Sequence, residues 1–151
     1  MSPPRYQNIE PEDVPEVKHG DGVTVRIIAG QFDGAVGEIA VKPIYLDAAL
    51  PAGAAVEFEV PAGHAGFIYP FEGAVEIVGE VGSDPVTLAD SHLGELGDGD
   101  VLTVRGGADG GRFILVAGQP INEPIARHGP FVMNTRAEII QAVHDFQEGK
   151  F

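Results

Sequence analysis

Short runs in which apolar and polar residues alternate recur along most of the chain. The clearest places Val56, Phe58 and Val60 on one face and Glu57 and Glu59 on the other. Alternation with a period of two predicts a strand with one buried face. Comparable runs, bounded by glycine, proline or aspartate, occupy residues 23–28, 44–50, 67–69, 74–78, 101–105 and 112–117. Short strands at such intervals are typical of an all-β sandwich or barrel.

Two glycine-bearing segments are predicted to reverse the chain between these strands. Residues 106–111 read Gly-Gly-Ala-Asp-Gly-Gly and lie between two apolar runs, which predicts a hairpin loop. Glu72 and Gly73 stand at the end of another run, where this pair predicts a turn that the Glu72 side chain caps.

One helix is predicted, at the C-terminal end of the sequence. Thr135 and Glu138 have the spacing of a capping box, in which each side chain bonds a free backbone donor of the other residue. The apolar residues that follow at helical spacing are Ile139, Ile140, Val143 and Phe146. Gly149 is placed to end the helix. We expect the apolar face of this helix to pack on the barrel.

These elements predict one domain with three parts. Residues 1–16 are rich in proline and acidic residues and are predicted to form an extended N-terminal arm. Residues 17–134 form the barrel, and within it residues 119–134 form an extended segment, because three prolines exclude a central strand or helix there. Residues 135–149 form the helix.

Composition narrows the classes of function. The chain of 151 residues has no cysteine, which excludes disulfides, thiol nucleophiles, iron–sulfur clusters and cysteine-bound zinc. Its 23 acidic and 9 basic residues give a net charge of −14, which repels phosphate. We therefore expect no direct binding to nucleic acid and no association with a membrane. Without a secretory leader or a long apolar stretch, the sequence predicts a soluble, cytoplasmic protein.

His64 is the best candidate for acid–base chemistry. It follows Gly63 at the start of a predicted strand and is expected to point into the barrel, with Tyr69 and Glu72 nearby. A histidine beside a carboxylate can transfer protons near neutral pH. The alternative is a structural histidine bonded to a backbone carbonyl, which we favour because a His–Glu pair without a nucleophile or metal is incomplete. We accordingly assign no catalytic residue.

Three further polar groups invite functional interpretations that the spacing does not support. Ser91 and His92 are adjacent, and on the strand predicted there they would point to opposite faces, so they could not act as a nucleophile and its base. Asp98 and Asp100 lack the glycine and glutamate of a calcium-binding EF-hand loop. Asp109 lies among glycines, but a glycine-rich calcium repeat needs several such turns.

Several segments resemble a known family. Residues 61–75, with the glutamate–glycine pair near their end, resemble the first motif region of a cupin. Residues 113–147, including the run HGPFVMN at 128–134, are similar to the end of pirins, and residues 4–7 resemble the point where the second half of a pirin begins. The resemblance implies a single cupin, a jelly-roll barrel or double-stranded β-helix with one C-terminal helix, equivalent to the second half of a two-cupin pirin.

The resemblance implies the cupin fold but not a metal site. In pirins the first cupin holds one iron through three histidines and a glutamate, and that half has no counterpart in this sequence. Aligned on Glu72, the ligand positions are occupied here by Glu59, Pro61 and Ala65, and proline and alanine offer no donor atom. The region of residues 97–100 lacks the later histidine. We expect no metal and no cofactor.

The resemblance also implies a regulatory role, because pirins are described as transcriptional co-regulators and as partners of metabolic enzymes. A lone half exposes apolar surface, so we expect a protein partner, or a second copy, to cover it. The candidate docking residues are Arg127, His128, Phe131, Val132 and Met133. For Arg127, His128 and Asn134 the alternative is that they anchor an irregular segment by bonding its backbone.

Two other functions remain open. In the first alternative, the chain is the structural half of an iron-dependent protein that resembles quercetin 2,3-dioxygenase. In the other, the barrel binds a small molecule in its cavity, unless bulky side chains fill it. The side chains available to fill it are Phe58, Phe67, Tyr69 and Phe71.

Overall fold

The computed structural model describes residues 8–37, 43–79 and 83–150, and within them it has eleven strands and one α-helix. The strands are β1 (Glu16–His19), β2 (Val23–Phe32), β3 (Ala35–Gly37), β4 (Ile44–Leu50), β5 (Ala55–Glu59), β6 (Ala65–Val78), β7 (Val86–Ala89), β8 (Gly94–Glu95), β9 (Val101–Gly118), β10 (Ala126–His128) and β11 (Phe131–Met133). The helix is α1 (Arg136–Gln147), and two 3-10 turns lie at Pro11–Asp13 and Gly20–Gly22. No helix in the described ranges has the length and apolar content needed to cross a bilayer.

The chain divides into two compact units. The barrel unit, Ile9–Pro120, contains β1 to β9. The terminal unit consists, in its described part, of Asn8 and residues 121–150, and it contains β10, β11 and α1. Residues 121–134 thus group with the helix, whereas the sequence assigned them to the barrel. The first seven residues of the predicted arm lie outside the described residues, and β1 already begins at the arm's last position.

The barrel unit is built from antiparallel strands in the order β1-β2-β4-β9-β6-β7, with β3, β5 and β8 paired to β2, β9 and β6. Strand β9 is central to this arrangement: its first part pairs with β5, its second part pairs with β4, and β6 pairs with both parts. The two long strands β6 and β9 therefore bend together. The predicted all-β barrel is confirmed.

The glycine-rich residues 106–111 do not form the predicted hairpin loop. They continue β9, which runs unbroken from Val101 to Gly118. At the bend Gly106 donates its N–H to the carbonyl of Ala54 at 2.8 Å, and a Cβ at this position would lie 3.0 Å from the carbonyl carbon of Pro51. Glycine is required at position 106 because the backbone of β9 approaches that of residues 50–51 too closely to leave room for a side chain. The hairpin prediction was therefore wrong. It was made because a glycine-rich composition also favours hairpin loops.

Glu72 and Gly73 also continue a strand instead of ending one. They lie within β6, where its pairing with β9 shifts register between Pro70 and Glu72 and again between Gly73 and Val75. Gly73 has a φ of +69°. This is a β-bulge, which bends a strand without reversing it. The predicted capped turn was therefore wrong.

Aromatic rings fill the interior of the barrel. The Phe58 ring lies 5.4 Å from that of Phe32 and 5.9 Å from that of Phe113, measured between centroids. Phe58 is 1% exposed and Phe113 is fully buried, whereas Phe71 is 41% exposed. In the described ranges no polar or charged side chain is buried. Of the four residues that the sequence offered to fill a cavity, Phe58 occupies the core and Phe71 lies at the surface.

The terminal unit begins with a hairpin where the sequence predicted an extended segment. Strands β10 and β11 pair antiparallel, with His128 opposite Phe131. The Asn134 amide donates to Glu123 at 2.7 Å and to the carbonyl of Pro124 at 3.0 Å. Asn134 thus anchors the proline-containing segment that precedes the hairpin, as one of the two interpretations of this residue expected.

The ends of α1 confirm the predicted signals. The Thr135 N–H donates to the Glu138 carboxylate at 2.8 Å, and the Glu138 N–H donates to the Thr135 hydroxyl at 3.3 Å. At the other end Gly149 has a φ of +71° and donates to the carbonyl of Phe146, while Lys150 donates to that of Asp145. This pair of bonds is a Schellman motif.

The buried face of α1 is narrower than predicted. Ile139 and Ala142 are buried, but Ile140 is 64% exposed. Phe146 is 63% exposed, although its ring contacts that of Phe131 with centroids 5.9 Å apart. The sequence prediction was wrong for Ile140, because helical spacing marks which residues are neighbours and not how much of their surface is covered.

The capping box makes the start of α1 sensitive to acid. The Thr135 side chain and the backbone of this turn hold the pKa of Glu138 below its usual value of 4.5. Because the folded pKa is lowered, the stabilisation is complete above 4.5 and is lost as pH falls through the lower folded pKa. We expect hydrogen exchange of the first amides of α1, followed by NMR, to accelerate in that range.

Glu138→Gln is the matched control, since glutamine keeps the hydrogen-bonding shape without titrating. Its amide exchange, corrected for the intrinsic pH dependence of exchange, should not change in that range. Equal acid sensitivity in both proteins would assign the effect to another group.

Candidate functional site

A cavity of about 280 Å3 opens where β6 and β9 bend. Its walls include residues 49–51 and the glycines at 110–111, and Gly110 packs against the backbone of residues 50–52 because it carries no side chain. Three charged side chains line it, those of Glu72, Asp109 and Arg112. We call this the corner cavity. It brings together two residues singled out in the sequence, Glu72 and Asp109, which are 37 positions apart.

Arg112 is held in place by two contacts. Its Nε donates to Oδ1 of Asp47 at 2.9 Å, and its Nη2 donates to Oδ2 at 2.5 Å, a bidentate pair. Its guanidinium carbon lies 5.2 Å from the centroid of the Phe71 ring, a cation–π arrangement. The Asp47 side chain is 16% exposed and that of Arg112 is 38% exposed. The guanidinium is therefore fixed at the edge of the corner cavity.

Charge around Arg112 keeps it protonated. The hydrogen bond to Asp47 raises the pKa of Arg112 above its usual value, with burial opposing this and the charges of Asp47 and Glu72 adding to it. The sequence analysis missed both Asp47 and Arg112. They are diagonal neighbours across β4 and β9, since Arg112 lies opposite Ala49, two residues from Asp47. Only the strand register brings them together.

The lining of the corner cavity suits binding more than catalysis. It offers a guanidinium and two carboxylates, but none of its lining residues is a serine, threonine, histidine, lysine or tyrosine. The lining therefore lacks the hydroxyl, imidazole and amine groups that often serve as nucleophile or base, and its two carboxylates are the groups in it that could accept a proton. The arrangement can hold a small polar group with hydrogen-bond donors and acceptors.

The structure does not bring His64 and Glu72 together. His64 closes a turn, donating its N–H to the carbonyl of Pro61 at 3.0 Å, and β6 begins at the next residue. Glu72 lies eight residues further along this strand, about 26 Å at roughly 3.3 Å per residue. Tyr69 lies between them, opposite Ile114 of β9. His64 is half-buried, and its Nδ1 has no partner among the described residues.

The remaining polar candidates lie in turns and loops. Ser91 has a φ of +62°, and Nδ1 of His92 lies 2.9 Å from the carbonyl oxygen of Asp90. The pair therefore occupies a turn after β7, not the strand that the sequence predicted. Asp98 and Asp100 are exposed in the loop before β9.

The side chains of the barrel do not fit an iron centre. Glu59, Pro61 and Ala65, which the alignment placed at ligand positions, are all exposed. The inward-facing residues of the same segment are hydrocarbon: Val56, Phe58, Val60 and Ile68. Iron in cupins needs imidazole and carboxylate donors that converge within the barrel. No such donors converge among the described interior residues, where no polar or charged side chain is buried.

One group in the described ranges has three potential ligand atoms within 4.8 Å of one another: His144, Asp145 and Glu148. It lies at the end of α1, where Lys150 donates to Asp145 at 3.0 Å and to Glu148 at 2.6 Å. The Lys150 ammonium holds the pKa of Asp145 below its usual range. A cation from the chain itself thus already pairs with both carboxylates of this cluster, which the sequence analysis did not single out.

The terminal unit exposes several large apolar side chains. Among its described residues five large apolar side chains are more than half exposed: Ile121, Ile125, Val132, Ile140 and Phe146. Of the predicted docking residues, Arg127 and His128 are exposed, whereas Phe131 and Met133 are half-buried on the other face of β11 from Val132. We call these five exposed side chains the apolar surface of the terminal unit.

Charge is divided sharply between the two units. Residues 9–120 contain 19 acidic and 5 basic residues, a net charge of −14, so they carry the whole net charge of the chain. The remaining residues contain four of each and are neutral. A neutral surface with exposed apolar side chains is characteristic of a contact region, since desolvating it costs little.

Comparison with known proteins identifies close relatives. Residues 45–151 match the model of the pirin C-terminal cupin domain. The chain is 41% identical to a putative quercetin 2,3-dioxygenase of Pseudomonas aeruginosa over 99% of this chain and 53% of that protein. It is 37% identical to human pirin over 99% of this chain and 52% of that protein. It thus spans about half the length of these relatives.

A solved structure supports the same relationship. The crystal structure of a quercetin 2,3-dioxygenase from Acinetobacter baumannii superposes with a TM-score of 0.81 and 34% sequence identity. The match covers 100% of this chain and 52% of that one. The predicted fold, a single cupin barrel, is confirmed.

Proposed function

Because the chain belongs to the pirin family and corresponds to its C-terminal cupin domain, we propose that it acts as a metal-free structural and protein-interaction module with a regulatory role. The observation that carries this proposal is the filled barrel. The rings of Phe32, Phe58 and Phe113 pack against one another in the barrel interior, where no polar or charged side chain of the described residues is buried. A barrel with a filled interior stabilises the outer surface of the domain and leaves no room for an internal active site.

The apolar surface of the terminal unit is the proposed contact region. Its occupant is a second cupin domain, supplied by another copy of this chain or by a separate protein equivalent to the other half of the longer relatives. Burying such a surface stabilises a complex by about 25 cal/mol per Å2 of apolar area. Arg127 and His128, exposed beside it, can add polar contacts at its edge. The neutral charge of the terminal unit favours approach there over the anionic barrel.

We expect the chain to self-associate at micromolar concentration, because Val132 and Ile140 offer apolar area that water solvates poorly. Size-exclusion chromatography with light scattering should give a mass about twice 15.8 kDa. The double variant Val132→Lys with Ile140→Lys should restore the monomer. Val86→Lys is the matched control, since Val86 is 64% exposed on β7 of the barrel unit and should leave association unchanged.

If the chain is monomeric, the test turns to the second possible occupant, a separate protein equivalent to the other half of the longer relatives. In that case the N-terminal half of the Pseudomonas aeruginosa relative, expressed separately, should bind this chain and lose binding to the double lysine variant. A chain that remains monomeric and does not bind this half would contradict the proposed contact region.

The second candidate function is that of the structural half of an iron-dependent quercetin 2,3-dioxygenase. The similarity to the putative quercetin 2,3-dioxygenase of Pseudomonas aeruginosa and to the quercetin 2,3-dioxygenase of Acinetobacter baumannii favours it. In this case iron would reside outside the chain's own barrel. An iron-loaded chain that consumes quercetin alone, and loses this activity in His64→Ala, would contradict both proposals.

A small-molecule-binding role is favoured by one observation, the corner cavity with its fixed guanidinium. Its charged lining suits a small polar ligand. Asp47→Asn, which releases Arg112, would weaken such binding, whereas the docking proposal expects self-association to be unaffected by it.

A further inference from the structure

One edge of β5 is unpaired in the described part of the chain. On its other edge β5 pairs with β9, where Glu57 lies opposite Thr103. Val60 donates to the carbonyl of Asp100, and the Ala54 carbonyl accepts from Gly106, so even-numbered residues direct their backbone groups toward β9. In an antiparallel pair the alternate residues direct theirs away. The N–H and C=O groups of the odd-numbered residues therefore point to the open side.

A groove lies beside this open edge. It has a volume of about 370 Å3 and is lined by Glu57 and Glu59 of β5 and by residues 31–34 of the β2–β3 hairpin. Its floor is the largely buried ring of Phe32, against which the His19 ring packs edge-on with centroids 5.8 Å apart. The groove thus has an apolar floor and, on one wall, a row of strand hydrogen-bonding groups.

The rim of the groove is acidic. Nδ1 of His19 lies 3.4 Å from the Asp33 carboxylate. Glu57 and Glu59 are exposed and have no ion pair or hydrogen bond to any described side chain. They stand on the same face of β5, about 7 Å apart as alternate residues of a strand are. The rim therefore presents two regularly spaced negative charges, within a unit whose net charge is −14.

We propose that the open edge of β5 accepts an extended segment of another protein as an additional strand, and that this segment carries lysine or arginine at alternate positions. An added strand would take up the free N–H and C=O groups of residues 55, 57 and 59, the mode called β-augmentation. Its alternate side chains would lie opposite Glu57 and Glu59, where cross-strand pairs of opposite charge are favourable. The residues between them would face the side on which Phe58 and Phe32 lie.

Charge also decides against a second copy at this edge. Pairing two β5 strands would place glutamate against glutamate, which is unfavourable. The acidic rim thus protects the edge from self-association while it attracts cationic segments. This contact is independent of the apolar surface of the terminal unit, since all of its residues belong to the barrel unit.

The test uses a fluorescein-labelled peptide in which lysine and valine alternate. Fluorescence anisotropy should show binding that weakens with added salt. The double variant Glu57→Gln with Glu59→Gln should weaken it about tenfold. Asp84→Asn with Asp90→Asn removes the same charge from exposed positions around β7 and should change the affinity by less than about twofold.

A second peptide separates strand addition from general charge attraction. Methylating alternate backbone nitrogens keeps the charge and removes the hydrogen bonds that an added strand needs. We expect this peptide to bind at least about tenfold more weakly. We also expect the unmethylated peptide to slow hydrogen exchange at the amides of residues 55, 57 and 59. Equal binding of both peptides, or equal losses in the two double variants, would overturn the proposal.

Discussion

Replacing Gly106 with alanine is expected to destabilise the barrel unit by on the order of 3 kcal/mol. A Cβ at this position would overlap the carbonyl oxygen of Pro51 and would lie 3.1 Å from that of Leu50. These contacts are with backbone, which cannot rotate away as a side chain can. Relieving the overlap would strain the hydrogen bonds that Gly106 makes with Ala54 and Gly53. Urea unfolding should show a lower midpoint with an unchanged slope.

Gly118→Ala on the same strand is the matched control. A Cβ at Gly118 would meet no atom within 4 Å, and this glycine also lies in β9, where it pairs with Ala65 of β6. We expect its unfolding midpoint to equal or slightly exceed that of the unaltered protein, since alanine restricts the unfolded chain more than glycine does. If Gly106→Ala unfolds at the same midpoint as Gly118→Ala, the close approach of β9 to residues 50–51 is not a source of stability.

Replacing Phe113 with alanine is expected to cost about 3–5 kcal/mol, the usual range for removing a phenyl ring from a core. Phe113 is fully buried and contacts the ring of Phe58 edge-to-face, at an interplanar angle of 88°. Because β9 is fixed between β4 and β6, its backbone cannot collapse into the space left by the ring. The measurement is again urea unfolding, followed by intrinsic tyrosine fluorescence or circular dichroism.

Phe71→Ala provides the comparison for the same chemical change at the surface. Phe71 is 41% exposed and contacts Arg112 with its ring. We expect a loss of about 1 kcal/mol, from partial burial and the cation–π contact. Similar losses in the two variants would contradict a barrel filled by Phe113, and with it the main support for a structural role.

In the proposed structural role, this cupin would act through its surfaces, supported by a filled barrel and by the apolar surface of the terminal unit. The interior stabilises the fold through aromatic and aliphatic contacts. The chemistry available to other molecules lies outside, in the corner cavity, the open edge of β5 and the apolar surface. The corner cavity and the open edge of β5 are formed by strands whose positions the core fixes, whereas the apolar surface belongs to the terminal unit.

Several elements could be predicted from local sequence because local physics determines them. The alternation of Val56 and Phe58 with Glu57 predicts a strand with one solvent-exposed face, and β5 forms there. Thr135 and Glu138 satisfy each other's backbone groups, so α1 begins where the capping box predicts. Gly149 ends the helix for an equally local reason.

The corner glycines show where local prediction stops. Gly106 and Gly73 belong to segments whose composition is typical of turns, yet both residues lie within long strands. Glycine accommodates a reversal and a bend equally well, and the choice depends on what the backbone meets in space. The Asp47–Arg112 pair is similar, because 65 residues separate its members and only the register of β4 on β9 joins them.

By itself, the sequence determined an all-β sandwich or barrel with one capped helix, a net charge of −14 and no thiol chemistry, because periodicity, capping residues and composition are local properties. The cupin type of the barrel followed from the resemblance to a family, not from these local properties. Only the tertiary structure decided that β6 and β9 bend without reversing. It alone decided that His64 and Glu72 stay far apart, and that Asp47, Phe71 and Arg112 form one site. Distances between residues remote in sequence depend on strand pairing and register, which a one-dimensional pattern does not contain.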